Sequence, residues 1–264
     1  MLSPETRESA RTWYETGVRR VEAESVSIGL NYLDRAIAVF AEAEELPEAT
    51  HARHYKLFGM KLDDRFDEVE GLFANVMQGY TELGDTYGQA LLLAHLAETQ
   101  AAQGRWERAY SLFNLASVVA ENDAHRDVVT HVLWQQGQLC RQRDNLTQAI
   151  VLFQRAETLL AKEDPPDRLV QFRFLRAQAL SQLGETAEAI ALLEDVQTYL
   201  VRSERSQAAM EPLTLLRQLY EDEGMLEERA RISKLMNFSG QRMIQQDMLP
   251  RPVAHLGPPI DRGL

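Results

Sequence analysis

A chain of 264 residues with 45% hydrophobic and 26% charged side chains carries enough apolar material to bury a sizeable core. A formal net charge of −12 repels nucleic-acid phosphates and anionic lipid, so neither is an expected partner. A single cysteine, Cys140, excludes an intrachain disulfide framework and a multi-cysteine zinc site.

In chain order, residues 5–46 read as a first helical pair with Trp13, Tyr14 and Gly17 on its first helix. Here "GLNYLDRA" (29–36) keeps a 40-residue step to the segment near 69 and "AIAVFAEA" (36–43) fits a 33-residue step, and both registers stay open. Five related segments come next: "DRFDEVEGLFANV" at 64, "GRWERAYSLFNLA" at 104, "DNLTQAIVLFQRA" at 144, "GETAEAIALLEDV" at 184 and "GMLEERARISKLM" at 224. Their starts are 40 residues apart without a gap. Each opens on Asp64, Gly104, Asp144, Gly184 or Gly224, types that tolerate turn geometry at little cost.

Five residues after the turn stand Val69, Ala109, Ala149, Ala189 and Arg229, and nine after it Phe73, Phe113, Phe153, Leu193 and Ser233. Seven residues before it stand Leu57, Ala97, Gly137, Ala177 and Arg217. Small side chains at −7 and +5 let two helices approach, and the large one at +9 fills the space beyond. Apolar residues recur at helical spacing on both sides of each turn, as in Leu93, Leu96, Ala97 and Ala101, and no strand pattern is visible. Each unit is therefore predicted to be a helical hairpin, over about 48–86, 87–124, 126–163, 166–203 and 206–238. A hairpin of this size cannot bury its apolar face alone, so neighbours must stack. The predicted fold is all-α, one solenoid over 5–246, followed at 247–264 by a proline-rich tail that reads as extended or disordered.

The small, small, large pattern resembles the tetratricopeptide repeat, in a long 40-residue variety like that of kinesin light chain and the Rap-type peptide receptors. It is carried by Ala97, Gly104, Ala109, Phe113 and Ala116, by Gly137, Ala149, Phe153 and Ala156, and by Ala177, Gly184 and Ala189 with Leu193 and Val196. The sixth unit keeps Tyr220 and Gly224 and departs at Arg229 and Ser233, as a terminal cap does; an apolar face there could instead join two copies of the chain. The resemblance implies a right-handed α-solenoid and a non-catalytic, cytoplasmic scaffold or adaptor that binds a protein or peptide partner. A Rap-type sensor that switches a partner on binding a peptide is the alternative.

Catalytic motifs are not found: GxxxxGK[ST], GxGxxG, GxSxG and HExxH are all absent, so no enzyme activity or cofactor is expected. The longest apolar runs, such as "ALLLA" at 90–94, fall far short of the roughly 20 residues of a membrane span, so no membrane insertion is expected. "MLSPETRESA" also lacks the apolar stretch of a secretory signal. His51 and His54 with Asp63, Asp64 and Asp67 are a thin metal candidate, and solvated or groove-lining histidines are the preferred reading. Cys140, at −4, faces the paired helix and reads as a small buried apolar residue.

In each first helix, positions −13, −10, −6 and −3 form one stripe away from the small-residue packing positions. By the resemblance, this stripe lines the concave groove. The candidate peptide-binding residues on it are His54, Phe58, His131, Trp134, Gln138, Arg141, Gln171, Phe174, Gln178 and Gln218. Gln138, Gln178 and Gln218 share position −6, and a row of amides offers both donors and acceptors to a peptide backbone. Trp134 and Phe174 would supply apolar anchors. Lysine and asparagine do not form the pattern of chaperone-tail clamps: Lys61 and Arg141 are the only stripe cations.

Overall fold

The structure, a computed structural model, describes residues 3–123, 125–160 and 167–245. The proline-rich stretch at 247–264 lies outside the described residues. Twelve helices account for most of the rest: α1 Pro4–Glu22, α2 Val26–Glu42, α3 Leu46–Leu62, α4 Phe66–Leu83, α5 Thr86–Ala102, α6 Trp106–Asn122, α7 Arg126–Gln142, α8 Leu146–Leu160, α9 Asp167–Leu183, α10 Thr186–Arg202, α11 Ser206–Asp222 and α12 Leu226–Gln245. No strand occurs among the described residues.

The turns explain this regularity. Glu24, Glu44, Asp64, Gly84, Gly104, Asp144, Gly184, Glu204 and Gly224 all have positive φ, and they recur at multiples of 20 residues. In each such turn, the next residue's N–H returns to a carbonyl five positions back, as in Ser25 to Arg20 at 2.8 Å, Arg105 to Gln100 at 2.8 Å and Met225 to Tyr220 at 2.7 Å. This is the Schellman closure, which satisfies a carbonyl that the helix end leaves open. The same device thus ends the first and the second helix of a hairpin. The sequence marks it at Asp64, Gly104, Asp144, Gly184 and Gly224 but not at Glu24, Glu44 and Glu204, because glutamate there carries no turn signature and bears a left-handed cost of about 1 kcal/mol.

The first pair follows the 40-residue step. Gly29 stands five residues after Glu24, and a Cβ on it would fall 2.8 Å from the Gly17 carbonyl oxygen. A Cβ on Gly17 would fall 2.8 Å from Leu33 Cγ. Gly17 and Gly29 let α1 and α2 come this close, so "GLNYLDRA", not "AIAVFAEA", continues the series.

The chain forms two compact units, residues 1–132 and 133–254, divided within α7. In the first, Leu57, Val69, Val76, Tyr80 and Leu92 form one core and Ala10, Ala36, Phe40 and Ala52 another. In the second, Ala177, Ala189, Leu193, Val196, Leu213, Leu216, Tyr220 and Ile232 are buried together. The predicted packing positions Ala97, Ala109, Ala149, Ala177 and Ala189 are fully buried, as are Phe113, Phe153 and Leu193 behind them. Each large apolar side chain in these places contributes roughly 1.5–3 kcal/mol of burial. In α12 the series changes register: Arg229 and Ser233 are half-buried and Ile232 takes the core place.

Candidate functional site

The stripe behaves differently in the two units. In the first, His54 is 0% exposed, Phe58 4% and His131 5%, so these three candidates belong to the interior and do not line an open surface. Leu91 and Ala94 on α5 are buried beside them. The cause is local volume. Between α3 and α5, the side chains at −10 and −6 meet His95 and are sealed by it: the Phe58 and His95 rings lie 5.1 Å apart, and so do those of His54 and His95.

These buried polar groups are joined. His54 Nδ1 lies 2.7 Å from the Tyr80 hydroxyl and Nε2 lies 3.0 Å from His95 Nδ1. Each link needs one donor and one acceptor, which two neutral rings supply. Burial, with His51 and Lys61 nearby, pushes His54 down to about 3, and burial together with Lys61 puts His95 well below its usual range. The Lys61 ammonium donates to Glu98 and stands 4.8 Å above the Phe58 ring. His131 Nε2 lies 3.0 Å from the other Glu98 oxygen. Burial acts to raise the Glu98 carboxyl, but Lys61 and the His131 hydrogen bond outweigh it and hold the group well below the carboxylate range.

The first unit's other predicted ligands diverge. His51 turns to the Asp85 carboxylate at 3.8 Å while His54 enters the core. Among the described residues, no group of three or more His, Cys, Asp and Glu side chains is placed to hold a metal ion.

In the second unit, the stripe remains accessible. Trp134, Gln138, Arg141, Phe174 and Gln178 are half-buried, while Gln171 and Gln218 are exposed. Arg141 brings two of the three glutamines together: its Nη1 donates to Gln138 Oε1 at 3.1 Å and to Gln178 Oε1 at 3.0 Å. Each glutamine carbonyl accepts one bond from the guanidinium, and neither amide N–H group has an acceptor among the described residues. Gln218 is not part of this contact, because its Nε2 donates to Asp222 on its own helix at 2.8 Å. The row at −6 is thus not uniform: two of its amides are tied to Arg141 and the third to its own helix. Phe174 packs on the second unit's core with part of its ring left outside. Cys140 is a free, buried thiol, raised by burial, as its −4 position predicts.

The sequence places Glu98 on the stripe but does not single it out, and it gives no sign of His95 and Tyr80 as site residues. A glutamate and a lysine at −6 and −3 of successive units is the signal available for the Lys61–Glu98 pair. His95, one residue off the stripe, carries none.

No protein-family model matches the chain, and no curated protein matches it in sequence. Solved structures do match in shape. A signal transduction ATPase with numerous domains and a tetratricopeptide repeat sensor, from Pyrococcus horikoshii, aligns with a TM-score of 0.72 at 11% identity, covering 91% of this chain and 37% of that one. BtubC (BKLC) from P. vanneervenii aligns with a TM-score of 0.64 at 15% identity over 98% of both chains. A Rap protein complexed with competence and sporulation factor aligns with a TM-score of 0.62 at 11% identity, covering 92% of this chain and 67% of that one. At these identities the likeness is one of fold: the chain is an α-solenoid of the tetratricopeptide type.

Proposed function

We propose that the chain is a non-catalytic interaction scaffold that holds a peptide segment of a partner protein along the stripe of α7, α9 and α11. The observation that carries this reading is the half-open stripe of the second unit, where Trp134 and Phe174 offer apolar surface beside the amides of Gln138 and Gln178. An extended peptide brings the matching chemistry: backbone carbonyls that accept from amide N–H groups, and side chains that cover an aromatic ring. His54, Phe58 and His131 take no part, being core residues. No described helix is long and apolar enough to cross a membrane.

The test is selection of displayed 12-residue peptides on the wild-type chain, followed by affinity measurement on a Trp134→Ala, Gln138→Ala, Gln178→Ala variant. Loss of at least about tenfold in affinity is expected, since a central aromatic anchor alone is commonly worth more than 1 kcal/mol. A variant that keeps its helical circular dichroism and binds as tightly would end this reading.

The Rap complex, which aligns over 92% of this chain, favours a second reading. On this second reading, a short peptide would change the arrangement of this chain's helices and so regulate a partner that binds elsewhere. Small-angle scattering with a selected peptide separates the two: a scaffold keeps its radius of gyration, whereas a sensor changes it.

A further inference from the structure

The molecule makes one contact twice, with different chemistry. Lys61, at −3 of one hairpin, donates to Glu98 at −6 of the next, and Arg141, at −3, donates to Gln178 at −6 of the next. In the first unit the cation meets a carboxylate and the charges cancel. In the second an amide stands in that place, so the cation keeps its charge.

The hydrogen bonds around Arg141 sharpen this difference. Its Nη1 is used on the two glutamine carbonyls, while Nε is buried without an acceptor and Nη2 has no acceptor among the described residues. The amide N–H groups of Gln138 and Gln178 have no acceptor among the described residues either. Unused N–H donors therefore stand around a half-buried positive charge. Burial pushes the Arg141 guanidinium down, which is the mark of a cation that lacks a counter-charge.

We infer that Arg141, with the amides of Gln138 and Gln178, receives the carboxylate of an aspartate or glutamate side chain in the bound partner segment. This rests on the peptide reading above and adds the chemistry of the peptide. The ligand carboxylate takes the role that Glu98 plays for Lys61. Nη2 donates to one carboxylate oxygen and a glutamine amide to the other, and such charge-assisted bonds are about twice as strong as neutral ones.

The stripe also sets a spacing. Trp134 precedes Arg141 by seven residues, a rise of about 10 Å along the helix. An extended segment running along α7 covers that distance in about three residues. The segment therefore carries an apolar residue about three positions from its acidic one. The net charge of −12 opposes an acidic ligand only at long range, because 0.1 M salt screens beyond about 10 Å.

Two measurements test this. In the first, the Arg141 Nε–H signal is followed by NMR as N-acetyl-glutamate N-methylamide is added, with the capped glutamine analogue and N-acetylglycine as controls. The capped glutamate is expected to shift the signal saturably and the capped glutamine to leave it unmoved. Gln178→Glu, which builds the missing carboxylate into the chain, should abolish the response while the protein keeps its fold. No shift with capped glutamate, or a shift with N-acetylglycine alone, which carries only a terminal carboxylate, overturns the inference.

In the second, peptides selected on the wild-type chain are resynthesised with the acidic residue changed to its amide. A loss of about five- to tenfold is expected, matched by the loss that Arg141→Gln causes for the acidic peptide. If peptides bind and the amide exchange is harmless, the carboxylate receptor is wrong and the scaffold reading stands. If capped glutamate shifts Arg141 but no peptide is ever selected, the scaffold reading fails, and with it the assignment of the carboxylate to a partner segment.

Discussion

At the position six residues before the turn, α5 carries Glu98 and α9 carries Gln178, and the two units diverge around them. In the first unit, Glu98 gathers Lys61 and His131 into a dry, charge-balanced cluster, and the histidines beside it stay neutral. In the second, Gln178 shares a guanidinium with Gln138, and N–H donors are left without an acceptor among the described residues. The repeat supplies identical backbone positions in both places. Whether such a position becomes core or surface is decided by the volume and charge of the side chains that meet there, so one stripe can brace a fold in one unit and present chemistry in the other.

Acidification should break the comparison most strongly. His54 and His95 have folded-state values below the ordinary histidine range. The unfolded chain therefore binds protons that the folded chain refuses, and stability falls as the pH drops below about 6.5, a loss that for His54 continues toward its value of about 3. By pH 5 the loss from His54 is about 2 kcal/mol, and His95 adds to it in the same direction. The described part of the second unit contains no histidine, so its stability should change little over the same interval. Calorimetry at pH 7 and pH 5, with hydrogen exchange resolved by helix and corrected for intrinsic rates, should show protection lost in α3 and α5 and kept in α9 and α11. Equal losses in both units would sink this account.

Glu98→Gln tests the charge balance itself by giving the first unit the amide of the second. Lys61 would then be buried beside His131 with no carboxylate, a loss of about 3 kcal/mol. Urea unfolding measures it, and a change below about 1 kcal/mol would mean that the cluster is wetter than its side-chain exposures of 9% for Lys61 and 12% for Glu98 imply.

A smaller effect sharpens the comparison from the other side. A Cβ on Gly137 would fall 2.3 Å from the Phe153 ring, so Gly137→Ala should cost about 2 kcal/mol through overpacking. Hydrogen exchange should show the loss in α8 and α9, within the second unit, with α3 and α4 unchanged. Loss spread evenly over both units would show that they unfold as one.

Much of the scaffold was legible in the sequence, and the reason is steric. Gly104, Gly184 and Gly224 mark left-handed turns, and Ala97, Ala109, Ala149 and Ala189 are fully buried between helices. These requirements act within one hairpin, so they leave a local trace. The turns at Glu24, Glu44 and Glu204 left none, because the closure there is made by backbone atoms and an exposed glutamate is no turn signal.

The stripe was legible as a periodicity and illegible as an environment. His54, Trp134, Phe174 and Thr214 all stand at −10, yet His54 is in the core, Trp134 and Phe174 are half-buried and Thr214 is exposed. What separates them is the next helix, and above all His95, whose ring closes over Phe58 and His54. The sequence by itself determined the hairpin, its turn and the residues that pack inside it, since these depend on contacts a few residues apart. Only the tertiary structure decided which stripe positions stay open and which cation keeps its charge, since burial and pairing depend on side chains some 40 residues away whose meeting no local pattern records.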